Sequence, residues 1–278
     1  MTYIIKATGK KEEFNEDKIL NTILKAGAQK LFAKKITNKV KKKVYNGISS
    51  KKILNLTLNL LKEKPEIAFR YDLKRAIMSL GPSGFPFEKF FARVLENYGF
   101  KTEIGRTIPG KNVTHEVDII AKKKIKKNKL QELTYMVECK YHNKLGIHTN
   151  IKVALYTYAR FLDLKSNSKN KLNYPWLTTN TRCSSNAIKY AKGVNMKITT
   201  WNYPKGQSLQ ELIEKKKLYP ITILKSIKDP IKEKLSYLGI VITKDILDYD
   251  FDDLKSQTGF SERVLNQIIK EAKLVCDY

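Results

Sequence analysis

Three residues carry the densest chemistry in the chain. Asp118 lies within the apolar run Val117-Asp118-Ile119-Ile120, and Val137-Glu138-Cys139-Lys140 follows with a carboxylate and an amine two positions apart. In a strand, residues i and i+2 share a face, so Glu138 and Lys140 aim together while Cys139 points the other way, into packing. A hairpin joining the two strands brings Asp118 beside Glu138. Two carboxylates beside a lysine describe a site for Mg²⁺ (or Mn²⁺), a hard cation that takes one or two carboxylates together with waters and phosphate oxygens. Such a metal lowers the pKa of a bound water and offsets charge on a scissile phosphate. The lysine positions the nucleophile or stabilises the pentacovalent state. The plain alternative is a salt-bridged hairpin, because Glu and Lys are common in this chain.

Weaker candidates surround the three. His115 is placed to brace Asp118 or touch phosphate. His142 and Asn143, just past Lys140, are candidate substrate contacts. On the following helix Tyr156 and Tyr158 read as core and Arg160 as a DNA contact. Between the two strands runs Lys122-Lys123-Lys124-Ile125-Lys126-Lys127-Asn128-Lys129, either a grip on phosphates or a solvated hairpin tip.

The elements that must hold these side chains are legible from pattern. Phe87, Phe90, Phe91, Val94 and Leu95 make an amphipathic helix that ends at Gly99 and carries Glu88. Strands follow near 102–106, 113–121 and 133–139, then the helix IKVALYTYARFLD, a strand at 176–179, a helix around 186–191 and a strand at 196–201. This order predicts an α/β core with a mixed sheet flanked by helices. Ahead of it, Tyr3-Ile4-Ile5 and the Gly9-Lys10-Lys11 turn give a small β-hairpin. Helices then begin after Asn15, at SKKILNLTLNLLKEK and at AFRYDLKRAIMSL. The final segment reads as short helices turning at Gly239 and Gly259, with Thr243 and Ser261 as caps. The break Gly81-Pro82-Ser83-Gly84 and the composition place boundaries at 1–81, 82–221 and 222–278.

Charge narrows the partner. The chain has 278 residues, 54 basic and 27 acidic, a formal net charge of +27. The excess sits in the first two segments, at +12 and +16, whereas the third is near neutral at −1. A polyanion is therefore the expected partner, discounted because only 7 of the basic residues are Arg. No apolar run reaches membrane-spanning length and the start has no signal-peptide core. Three scattered cysteines argue against a disulfide framework or a zinc site and fit a reducing, cytoplasmic setting.

The order helix with Glu88, Asp118 in an apolar strand, Glu138-x-Lys140 ending an apolar strand, then a helix resembles the PD-(D/E)XK nuclease core. HEVDII with VECKYHN is similar to its Mrr-like restriction-endonuclease branch, and WLTTNTRCSSNAIKYAKGVNMKITTW is similar to that branch's later strand-helix-strand. The resemblance covers roughly residues 85–221. It implies Asp118 and Glu138 as metal ligands, Lys140 as the catalytic lysine and Glu88 as an acidic helix residue reaching the metal shell. Val117 stands where the superfamily's name has proline.

Residues 1–81 resemble the ATP-cone, the nucleotide-sensing module of ribonucleotide reductases and their repressors, through Lys6, Gly9, Glu13-Phe14-Asn15, Lys18-Ile19 and Tyr45-Asn46-Gly47-Ile48-Ser49-Ser50. This implies ATP or dATP touched by Lys6, Lys18 and Ser50, although Ala7-Thr8 replaces the usual Arg-Asp. Residues 222–278 resemble a tandem helix-hairpin-helix with hairpins at Leu238-Gly239-Ile240 and Thr258-Gly259-Phe260. Together the resemblances imply a Mg²⁺-dependent, restriction-like endonuclease on duplex DNA, regulated by nucleotide, and two cuts on a duplex favour a homodimer or higher homo-oligomer. The alternatives are a nucleotide-responsive DNA-binding regulator on an inactive nuclease scaffold, or a branched-DNA resolvase.

Overall fold

A computed structural model describes residues 2–126, 130–144 and 146–276. Contacts group the chain into two compact units. One comprises residues 1–77, 221–234 and 243–278, and the other residues 78–220 and 235–242.

In the first unit, β1 (Tyr3–Ile5) pairs antiparallel with β2 (Lys11–Glu13) and parallel with β3 (Ile48–Ser49). The expected hairpin is thus the antiparallel half of a three-stranded sheet. Helix α1 (Glu16–Lys25) starts where Asn15 accepts a hydrogen bond from the Asp17 amide, as an N-cap does. Helix α2 (Lys30–Lys41), which the pattern reading passed over, buries Ala33, Ile36, Thr37 and Val40 at helical spacing. Helix α3 (Ser50–Leu60) is capped by Ser49, and AFRYDLKRAIMSL breaks into α4 (Pro65–Tyr71) and α5 (Leu73–Met78). Ile23, Ile36, Val40, Ile48 and Leu61 form the core.

The second unit is built on a five-stranded mixed sheet whose strands lie side by side in the order 197–199, 174–179, 130–140, 114–126 and 101–109. Helix α6 (Phe85–Asn97) buries the five predicted apolar residues. Strands β4 (Lys101–Pro109), β5 (Thr114–Lys126) and β6 (Leu130–Lys140) form an antiparallel meander. After the short β7 (His148–Thr149) and helix α7 (Ile151–Ser166), β8 (Tyr174–Thr179) returns parallel to β6. The two-residue β9 (Arg182–Cys183) pairs with β7, and α8 (Ser185–Gly193) leads to β10 (Lys197–Thr199), parallel to β8. This is the expected α/β fold with a mixed sheet. Helix α9 (Leu209–Lys216) opens with a capping box between Ser208 and Glu211.

The remaining helices are α10 (Asp229–Tyr237), α11 (Thr243–Asp248), α12 (Phe251–Thr258) and α13 (Glu262–Cys276), with positive φ at the expected turns, Gly239 (79°) and Gly259 (69°). Helix α13 joins the first unit. Buried Arg70 donates from Nε to the Val275 carbonyl at 3.2 Å and from Nη1 to that of Ala26 at 3.4 Å. Glu271 accepts hydrogen bonds from the amide and hydroxyl of Ser226 at 3.0 and 2.9 Å.

Candidate active site

The β5–β6 pairing runs from Lys126↔Leu130 to Ile119↔Val137, and Asp118 and Glu138 stand one residue beyond its end. There the ladder gives way to a side chain: the Cys139 amide donates to Asp118 Oδ2 at 2.6 Å. On the other edge of β6, Glu138 and Lys140 pair in register with Leu177 and Thr179 of β8. The strand alternation puts the carboxylate of Glu138 and the amine of Lys140 on one face. Cys139 is buried on the other, where its thiol pKa is driven well above the ordinary value by burial and by the nearby carboxylates.

Helix α6 supplies the third carboxylate. Burial, with the charges of Asp118, Glu116 and Glu138, lifts Glu88 to about 7. Glu138 is likewise lifted to about 7, first by burial and then by Asp118, against the opposing pull of Arg160 and Lys140. Burial also raises Asp118, resisted by the Cys139 amide and by Arg160. The structure thus brings Glu88, Asp118 and Glu138 within one another's fields, with Lys140 exposed beside them. Among the described residues no group of three His, Cys, Asp or Glu side chains forms a ready-made metal cage. A pair of crowded carboxylates, both raised by burial and Glu138 further by the charge of Asp118, nevertheless suits Mg²⁺ or Mn²⁺, which fills its remaining positions with water and phosphate oxygens.

Three neighbours sit otherwise than expected. His115 pairs through Nε2 with Asp163 Oδ2 at 2.8 Å rather than bracing Asp118, because three residues along a strand reverses the face. Asp163 also accepts from Asn112, so His115 belongs to the anchor of the β4–β5 turn. Arg160 does not face outward: it is buried, and its Nη1 meets Glu138 Oε2 at 2.5 Å. Tyr156 is not core but 58% exposed, lying 5.3 Å from the Arg160 guanidinium. Glu116, two residues before Asp118 on the same face, was missed although its spacing was the clue.

The TNT stretch holds the chain as it leaves the site. Buried Asn180 accepts from the His142 amide at 2.9 Å and donates to its carbonyl at 2.8 Å, and the His142 ring meets Thr149 Oγ1 at 3.0 Å. Of the lysine run, residues 127–129 lie outside the described residues. Within the rest, Lys122 pairs with Glu103 at 2.8 Å and Lys123 donates to the Tyr98 carbonyl at 2.9 Å. Residues up to Lys126 are strand, so this part of the run is not a loop tip.

In the first unit, Lys6 and Lys18 converge on Glu12: Lys6 lies 3.5 Å from it and Lys18 bonds it directly. Ser50 opens α3, and its neighbour Ser49 pairs with Ile5 of β1, so the chain around all three candidate nucleotide contacts meets at this small sheet. An open groove of about 400 Å³ is lined instead by Lys43, Tyr45, Ile48, Lys52, Asn55, Leu56 and Asn59, and contains none of the three.

Three family models match the chain. An ATP cone domain matches residues 2–75, a restriction endonuclease domain matches 81–213, and an AF1548-like C-terminal domain matches 219–276. A curated relative, an uncharacterized protein of Archaeoglobus fulgidus, is 39% identical over 184 residues, covering 66% of this chain and 98% of its own. A solved structure described as a protein of unknown function, AF1548, is 36% identical with a TM-score of 0.60, covering 70% of this chain and 98% of its own. A looser neighbour, the DNA modification-dependent restriction endonuclease AspBHI, gives 14% identity and a TM-score of 0.37 over 54% of this chain and 35% of its own.

Proposed function

Because this chain belongs to the AF1548-like family and carries a restriction-endonuclease domain behind an ATP cone, we propose that it is a metal-dependent endonuclease hydrolysing phosphodiester bonds of duplex DNA. The observation that carries the reading is the meeting of Asp118 and Glu138 at the end of the β5–β6 ladder, with Lys140 on the same face as Glu138 and Glu88 within the field of both carboxylates.

Asp118 and Glu138 would hold Mg²⁺ or Mn²⁺. When bound, that cation supplies Lewis acidity, lowering the pKa of a water and offsetting charge on the phosphate. The Cys139 amide fixes one oxygen of Asp118, so this ligand arrives already oriented. Lys140, exposed beside them, donates a hydrogen bond to the attacking water or to a non-bridging oxygen as negative charge builds there. Glu88, with a pKa near 7, can hold or release a proton at working pH. The basic strands and lysine run supply sequence-independent phosphate attraction.

The cone is proposed to bind ATP or dATP, with Lys6 and Lys18 on the phosphates and Ser50 donating near the start of α3. The restriction-like role and the assembly into a homodimer or larger oligomer belong to the same proposal. The testing experiment is a digestion panel of methylated, unmethylated, nicked and branched DNA, with and without Mg²⁺ and ATP. Cleavage that requires Mg²⁺ and disappears with Lys140→Ala is expected. Metal-independent cleavage, or none of any substrate, would refute the reading.

A further inference from the structure

Helix α7 follows the ExK strand and buries Ala154, Thr157, Phe161 and Leu164 at helical spacing. Arg160 falls on that same stripe. A guanidinium there is costly unless it is paired, and its partner is Glu138 Oε2 at 2.5 Å, with side chains only 9% and 12% exposed. Its charge also acts on Asp118. The pairing is incomplete on the arginine side, since Arg160 Nε is buried with no hydrogen-bond partner. The face of Tyr156 covers the guanidinium at 5.3 Å. A cation is therefore already lodged against one of the two carboxylates that would hold metal.

We propose that Arg160 is a positioning residue that stands in for the metal: it holds and neutralises Glu138 while no metal is bound, and it opposes the incoming cation. The inference rests on the metal reading of Asp118 and Glu138. Two like charges cannot share one carboxylate without cost, so metal entry must loosen the Arg160–Glu138 pair or work against its repulsion. Arg160 thereby sets how much metal the protein needs before it cuts. The alternative role, a buried pair that merely fastens α7 to the sheet, makes no such demand on metal affinity.

The test is calorimetric titration of Mn²⁺ into the full chain without DNA, comparing wild type with Arg160→Met, Arg160→Gln and Arg160→Lys. Asp118→Asn serves as the control for the metal site. Arg160→Met should bind Mn²⁺ about ten-fold more tightly, with Arg160→Lys close to wild type. Its metal-free melting temperature should fall and recover at saturating Mn²⁺. Arg160→Gln retains a donor to Glu138, so it remains folded and should show the same tightening. Half-maximal cleavage should then need correspondingly less Mg²⁺. Unchanged or weaker Mn²⁺ binding in both neutral variants would overturn the inference while leaving the metal site intact. Absence of binding in wild type would overturn the metal reading and the inference with it.

Discussion

The candidate active site and the charged end of the cone are opposite patterns at different depths. In the sheet, the cation Arg160 sits against Glu138 within the field of Asp118, the pair only 9% and 12% exposed. In the cone, the anion Glu12 sits between Lys6 and Lys18, with side-chain exposures of 36%, 33% and 61%. Burial makes the first arrangement costly to break and sensitive to any further charge. Solvent and salt weaken the second. The carboxylates respond in opposite directions. Glu138 and Glu88 are pushed up to about 7 because burial and like charges disfavour ionisation. Glu12 is pulled below its ordinary value, chiefly by its hydrogen bond from Lys18.

The largest expected effect falls on chemistry. Lys140 is exposed and its removal leaves packing untouched, so Lys140→Ala should lower single-turnover cleavage by roughly 10³-fold with an unchanged melting temperature. A large fall in melting temperature would mean that Lys140 is structural. Next is Arg70, a buried guanidinium that donates to two backbone carbonyls. Arg70→Met strands the carbonyls of Ala26 and Val275, and about 2 kcal/mol of unfolding free energy should be lost in a denaturant titration. A cost near zero would put the buried hydrogen bonds in question.

The pH dependence separates the two regions. Between about 4.5 and 7 the folded, metal-free protein binds more protons at Glu88 and Glu138 than the unfolded chain does. Their contribution to stability is therefore full at low pH and lost as pH rises through that window. Glu138→Gln should flatten this part of the curve, and saturating Mg²⁺ should oppose the loss by binding the ionised pair. A curve unchanged by the substitution would deny the crowding of carboxylates. Glu12 has the opposite sign, its contribution being lost as pH falls below the ordinary carboxylate value. Its exposure makes it small, so Glu12→Gln should alter stability by roughly 0.5 kcal/mol at low salt and by less at high salt. An equal effect at both salt concentrations would sink the contrast in depth.

Period and spacing exposed most of the nuclease fold and the meeting of Asp118, Glu138 and Lys140, because strand alternation and hairpin pairing are local rules. Helix α2 escaped because its short stripe of Ala33, Ile36, Thr37 and Val40 is interleaved with lysines. The grouping of α13 with the first unit escaped too: it depends on Arg70 reaching a carbonyl 205 residues away, and composition carries no trace of that. The pairing of His115 with Asp163 is not legible in the sequence, because the two lie 48 residues apart. Arg160 could have been caught. A lone charge on the buried stripe Ala154-Thr157-Phe161-Leu164 requires a buried partner, and Glu138 on the strand before this helix is one such carboxylate.

The central claim is that Asp118 and Glu138 form a metal site that drives hydrolysis of DNA. It is tested most directly by measuring Mn²⁺ binding and duplex cleavage on the same preparations of wild type and Asp118→Asn. Wild type should bind Mn²⁺ and cut, whereas Asp118→Asn should lose both while melting at the same or a higher temperature, since one crowded charge is gone. An Asp118→Asn protein that still binds metal and cuts at the wild-type rate would contradict it.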